Sequence, residues 1–257
     1  RFASVVARVH EKVTAEDRDQ ADLVILDCSQ RYAQLPLPAS PLGERSTFRK
    51  PAVLLGSAGY FMATTWKLRG SPGSVCLEPY LFDPRPHPIF ESPRRVDLSA
   101  TAHPTPERWR GCGPEVRVIA LHNGGQRFWN PGWAAFSWAL EDAPDVEIMA
   151  GGINGKAADA AAIWRQGNLL HFSFEQTPDE LAARGQALFL NAIDYIAGFT
   201  GDRPLVETPT PDSGGPVPRV RVRLRQLIGH AETAEPTIRE AFARAESTAS
   251  LSLRTCA

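Results

Sequence analysis

The stretch from residue 160 to 198 constrains the fold most. Two apolar runs, 160–164 and 169–174, flank a Gly167-Asn168 pair, the signature of a tight turn between strands, and feed straight into an amphipathic helix. Thr177 is placed to act as N-cap, Pro178 as the first helical residue with its missing N–H harmless, and Glu180 as the third residue reaching back to close a capping box. Leu181, Leu188, Phe189, Ala192, Ile193 and Ile196 recur at helical spacing, while Asp179, Arg184, Gln186 and Asp194 lie largely off that face. Gly198 supplies a left-handed exit. A helix over 178–197 would span ~30 Å, enough to cross a sheet.

At 257 residues the chain can bury a sizeable core, either as one large domain or as a domain with an appendage; the second is the expectation. A formal charge of -1 gives no global field for nucleic acid or an anionic membrane. No apolar run approaches the ~18 residues of a membrane span. Four cysteines, Cys28, Cys76, Cys112 and Cys256, form no C-x-x-C pair, which argues against a zinc ribbon or a thioredoxin-type site. Their even number and the opening Arg1 lean toward an exported mature protein, with buried free thiols as the alternative.

Strands and helices alternate along the chain. A short strand is expected over 2–9 and a polar connection or helical turn over 14–20. Asp22-Leu-Val-Ile-Leu-Asp27 then reads as a strand buried on both faces. Residues 52–55 are a second such run, ending in Gly56-Ser57-Ala58-Gly59 and passing into a helix over 60–68. A third, 116–121, precedes His122-Asn-Gly-Gly125 and a helix carrying Trp133, Phe136 and Leu140 at i, i+3 and i+7. Residues 146–149 form a further strand candidate. The alternation predicts an α/β layer architecture with an open, mostly parallel sheet, helices on both faces, and a binding crevice beyond the carboxyl ends of the strands.

Residues 69–113 carry Pro84, Pro86, Pro88, Pro93, Pro104 and Pro106 and are expected to form a long ordered loop or lid within a domain of residues 1–203. Residues 204–218 read as a linker. In the extension that follows, 219–257, Arg219, Arg221, Arg223 and Arg225 alternate with apolar residues, so a strand would show four guanidinium groups on one face. That face is either a solvated edge or a surface for an anion or partner. Ile238, Ala241, Phe242 and Ala245 give a short helix an apolar stripe suited to docking on the main domain, on another protein, or on a second copy.

The order of elements resembles the class I glutamine amidotransferase-like superfamily, and especially its ThuA-like, non-amidotransferase relatives, over residues 2–199. Asp22-Leu-Val-Ile-Leu-Asp27, Pro86-His-Pro-Ile-Phe90, and the closing strand and helix with Asn191-Ala-Ile193 carry the likeness. The resemblance implies a flavodoxin-like fold whose first strand and helix would precede Arg1. Amidotransferases place a nucleophilic Cys in Gly-x-Cys-x-Gly on a strand-to-helix elbow. The matching positions here are Leu55-Gly56-Ser57-Ala58-Gly59, and the family's His-Pro-Glu is matched by Ser173-Phe174-Glu175. Ser57 thus stands for the thiol and Ser173 for the imidazole, leaving Glu175 alone, so glutamine hydrolysis by the triad route is not expected.

A serine hydrolase can still be drawn from Ser57, His122 as base, and Asp27 or Glu175 as orienter, with Ser57 as a helix-capping residue as the simpler alternative. Cys28, at a strand's carboxyl end, is either a nucleophile or a buried thiol. His87 and His103, with Asp83 or Asp97, are candidate metal ligands, but no close His pair supports a metal site. His171, inside an apolar strand, reads as a core histidine. The six tryptophans, including Trp133 and Trp164, either pack the core or line a sugar-binding surface. The expectation is a degenerate domain without the Cys-His pair that binds a small molecule or carbohydrate near Cys28, Ser57, Gly59, His122 and Glu175, with no cofactor. The alternatives are a ThuA-like enzyme or serine hydrolase, and a structural subunit.

Overall fold

The computed structural model describes residues 4–8, 13–27, 40–69, 75–109, 112–123, 132–140, 143–156, 158–175 and 177–205. Cys28, Gly124, Gly125 and nearly all of residues 204–257 lie outside the described residues, as do the expectations resting on them.

Strand β1 (Val24–Asp27) pairs in parallel with β2 (Ala52–Leu55), and β2 in parallel with β10 (Leu169–Phe172). From β10 onward every step is antiparallel: β9 (Ala160–Gln166), β8 (Val146–Gly152), β4 (Tyr80–Phe82), β6 (Glu115–Ala120) and β5 (Thr101–Pro104). Off this path, β7 (Trp133–Phe136) pairs with both β9 and the short β3 (Val75–Cys76). The architecture is α/β with a mixed sheet, and parallel pairing is confined to β1, β2 and β10.

The two faces of β2 show how alternation distributes the core. Val53 and Leu55 point to one side, packed with Leu170, Phe172 and the apolar stripe of α3 (Ala183–Ile196); Ala52 and Leu54 point to the other, packed with α2 (Ser57–Thr65). Helices therefore cover both faces of the parallel part. Leu188, Phe189, Ile193 and Ile196 of α3 are buried, each worth about 2 kcal/mol of transfer free energy. The short α1 (Ala15–Gln20) starts with a capping box, Thr14 hydroxyl to the Asp17 N–H and Asp17 carboxylate to the Thr14 N–H.

Several expectations are corrected. Residues 4–8 form no strand and are exposed. The helix predicted over 60–68 begins at Ser57 and ends at Thr65. The i, i+3, i+7 spacing of Trp133, Phe136 and Leu140 belongs to β7 and a following 3-10 turn, because the Ala135 and Phe136 backbone pairs with Ala161 and Ala160. The proline-rich excursion is no mere loop or lid: it supplies β3, β4 and β5, and β4 lies between β8 and β6. Proline is tolerated there because Pro104 ends β5, the outermost strand of the path.

The closing helix starts five residues later than predicted. Glu180 does reach back, accepting from the Thr177 N–H at 3.1 Å and its hydroxyl at 3.2 Å, but its own N–H donates to the Thr177 carbonyl at 3.0 Å, so the box is half-made and closes only an isolated turn. Leu181 then bridges to His122, and the Ala182 N–H donates to the Leu121 carbonyl at 2.8 Å, holding the chain off the helix until Ala183. At its other end a 3-10 turn, Ala197–Phe199, carries through Gly198, and the left-handed residue is Gly201 at φ 89°.

Asn191 locks this helix to the former excursion. Its amide donates to the Ile89 carbonyl at 2.8 Å and the Arg94 carbonyl at 2.6 Å, and its oxygen accepts from the Arg94 N–H at 3.0 Å. No helix among the described residues is long and apolar enough to cross a membrane.

Candidate functional site

Because β1, β2 and β10 run in parallel and in register, Asp27, Leu55 and Phe172 end at one level, and the segments after them meet on one rim. β2 leaves that rim through a sharp turn into α2. The strained position is Gly56, at φ 48° and ψ -121°, a conformation in which a side chain is rarely tolerated. Ser57 is the first helical residue. The apex of the elbow, where a nucleophile would project, is therefore one residue earlier than the sequence match implied, and it carries no side chain.

Glu175 fills the space an apex side chain would need. A Cβ on Gly56 would lie 2.7 Å from the Glu175 Oε2 and 2.9 Å from its Cα. That carboxyl caps α2 from across the rim: the Ser57 N–H donates to Oε2 at 2.9 Å and the Ser57 hydroxyl donates to Oε1 at 3.0 Å. The expectation that the Ser57 hydroxyl caps backbone donors is thus reversed, since the acid satisfies the serine. Burial pushes the Glu175 carboxyl up to about 7; the two Ser57 hydrogen bonds oppose the rise and the nearby Asp27 carboxylate adds to it. Ser57 is fully buried.

His122 emerges on the same side, because β6 is four antiparallel steps from β10 and so runs in the same sense. It does not join the pair. Its ring packs edge-on against Phe174 at 5.8 Å, and both ring nitrogens are buried without a hydrogen-bond partner, so it accepts no proton from Ser57 and orients no carboxylate. Burial holds it down to about 4, against a small upward push from Glu180. The drawn Ser57–His122 relay is not assembled. Ser173 is buried and uses its backbone, its carbonyl accepting from the Trp133 N–H at 2.8 Å.

Gly59 serves a different neighbour. A Cβ there would come within 2.7 Å of the His171 Nδ1, so the glycine lets α2 sit directly on that imidazole. His171 is 2% exposed, lies flat on the Trp164 ring with centroids 3.6 Å apart, and is held down to about 3 by burial. Beside it a small cavity opens between the start of α2 and β7. His171 is a core histidine as expected, but one with an unpaired nitrogen, Nε2.

Three of the four proposed metal ligands, His87, His103 and Asp97, are otherwise engaged. The His87 Nδ1 accepts from the Ile89 N–H at 3.1 Å, leaving Nε2 as the protonated nitrogen facing Glu147 at 3.1 Å. Glu147 also accepts from the Tyr195 hydroxyl at 2.5 Å and from Arg165 Nε at 3.3 Å, while Arg165 lies 4.0 Å over the Phe199 ring. This network joins the His-Pro-Ile segment, β8, β9 and α3. Sequence reading missed it because its members lie up to 108 positions apart and only the third dimension unites them. His103 faces Glu78 and the Pro104 carbonyl, and Asp97 pairs with Arg184. Among the described residues no group of three or more His, Cys, Asp or Glu side chains is placed to hold a metal ion.

Comparison with protein-family models, with curated proteins and with solved structures finds no match.

Proposed function

We propose that the chain is a degenerate domain of the amidotransferase-like, flavodoxin-like type that binds a small neutral molecule, carbohydrate in character, at the carboxyl rim of β2 and β10. The observation that carries this reading is the elbow: its apex is Gly56, and the Glu175 carboxyl occupies the space where a nucleophile's side chain would start. A thiol or hydroxyl cannot be restored there without displacing Glu175, and His122 and His171 do not reach the pair. Binding is the activity such a rim retains.

One contact favours the enzymatic alternative. A carboxyl near neutrality 3.0 Å from a serine hydroxyl has the geometry of a base and its nucleophile. Against it, the hydroxyl is fully buried and the same carboxyl is already committed to the Ser57 N–H. Hydrolysis of glutamine and of p-nitrophenyl acetate, measured for the wild-type protein and for Ser57→Ala, separates the two. We expect no glutamine turnover and no difference in ester hydrolysis between them; a rate that depends on Ser57 would assign the rim to catalysis.

A further inference from the structure

Strand β1 stands at the edge of the sheet with the composition of an interior strand. Among the described residues it pairs with β2 alone, and Val24, Ile25 and Leu26 are all apolar. Leu26 is buried and Val24 half-buried on the α2 side, the face that carries Ala52 and Leu54. Ile25 lies on the other face beside Val53, its partner in register. Val53 is 0% exposed and Ile25 43%, so the apolar floor under α3 runs out at β1 without being closed there.

The main chain of β1 is open as well. The Val24 N–H donates to the Pro51 carbonyl at 3.0 Å, so by the alternation of a parallel ladder Val24 and Leu26 turn their peptide groups to β2, and Ile25 turns its N–H and C=O outward. No described residue pairs with them. Proline, a bulge or an inward charge ordinarily blunts such an edge, and none of these falls between Val24 and Leu26.

Charge and tether single out what covers it. Residues 14–27, the run through α1 and β1, carry five carboxylates, Glu16, Asp17, Asp19, Asp22 and Asp27, against one guanidinium, Arg18. Residues 219–225 carry four guanidiniums and no carboxylate, alternating with Val220, Val222 and Leu224. Leu205, the last described residue, sits beside the start of β8, its N–H donating to the Asp145 Oδ2 at 2.7 Å. β8 is four strands from β1, ~19 Å at ~4.8 Å per step, and residues 206–218 can extend up to ~43 Å. A segment on such a tether meets the edge at an effective concentration on the order of millimolar.

We propose that residues 219–225 join the sheet as a strand on the outer edge of β1, pairing with the Ile25 N–H and C=O, with Val220, Val222 and Leu224 continuing the apolar face of Ile25 and the four arginines opposing the acidic run. The chain then closes its own sheet margin, an edge that a strand from another protein would otherwise extend.

Amide hydrogen exchange of the full chain, read at Ile25, tests this, because that N–H gains a partner only when a strand lies outside β1. Slow exchange is expected in the wild type. The double variant Arg221→Pro, Val222→Pro removes a ladder donor in either register and should speed exchange at Ile25 about tenfold or more, while the Leu54 and Leu170 amides inside the sheet keep their rates. Protection at Ile25 should also be unchanged on dilution, as a contact within one chain requires. Fast exchange at Ile25 in the wild type overturns the proposal, and so does protection that survives the two prolines, which would assign the edge to another segment. Protection that fades on dilution together with a dimer-to-monomer shift in sedimentation would assign the edge to a second copy and overturns the pairing within one chain.

Discussion

At Glu175 a single carboxyl holds together the ends of two elements. Its pKa of about 7 exceeds the ordinary 4.5, so the folded state prefers the protonated form. The sign follows: this contribution is complete below pH 4.5 and is lost as the pH rises through about 7. Glu175→Gln keeps an acceptor for the Ser57 N–H and cannot ionise. The variant is expected to melt higher relative to the wild type at pH 8 than at pH 5, as read from Tm across a buffer series; parallel pH profiles would show that Glu175 does not titrate in this window. The sequence made Glu175 and Ser57 visible as candidates through the family resemblance, but it assigned Glu175 to orient His122 rather than to meet Ser57, and the apex fell to Gly56. Position along a motif does not reveal which residue takes the left-handed conformation; that depends on where β2 stops pairing, after Leu55.

Elements were legible where local signals met no long-range competitor. β2, β9 and β10 and the Gly167-Asn168 turn fall where their apolar runs and turn residues put them. The start of α3 does not, because the Leu181 bridge to His122 prevails over a capping box of which only the Glu180 half forms, and β7 does not, because a helical spacing of apolar residues yields to pairing with β9. Both are cases of tertiary pairing overriding local preference. Asn191 measures the strength of one such tertiary tie. Asn191→Ala would leave one buried N–H and two carbonyls around Ile89 and Arg94 without their partner. A loss of about 3 kcal/mol in urea denaturation is expected, with the m value unchanged. A loss under about 0.5 kcal/mol would mean that the 88–94 segment holds its shape without that tie.

Among the described residues, two buried histidines contribute to the loss of stability in acid, alongside carboxylates such as Glu147 whose values are also held down. His171 at about 3 and His122 at about 4 both lie below the ordinary 6.5, so their neutral forms favour the fold above pH 6.5 and that advantage is lost as the pH falls toward 4 and then 3. Glu175 works in the opposite direction between 4.5 and 7. Two groups outweigh one, so the joint contribution of these three peaks near pH 6.5. The double variant His122→Phe, His171→Phe is expected to keep a larger share of its pH 7 urea midpoint at pH 4.5 than the wild type; equal shares would place the acid limit elsewhere. The alternation of strands and helices revealed the α/β class and the helices on both faces. It did not reveal the antiparallel half, because proline content masked β3, β4 and β5. The strand that joins the halves, β10, is the last strand among the described residues, and it inserts between β2, over a hundred residues upstream, and its hairpin partner β9. Until residue 172 has emerged, the β2 margin that β10 will seal stays open in the nascent chain, a window for wrong partners that lasts while more than a hundred residues are made.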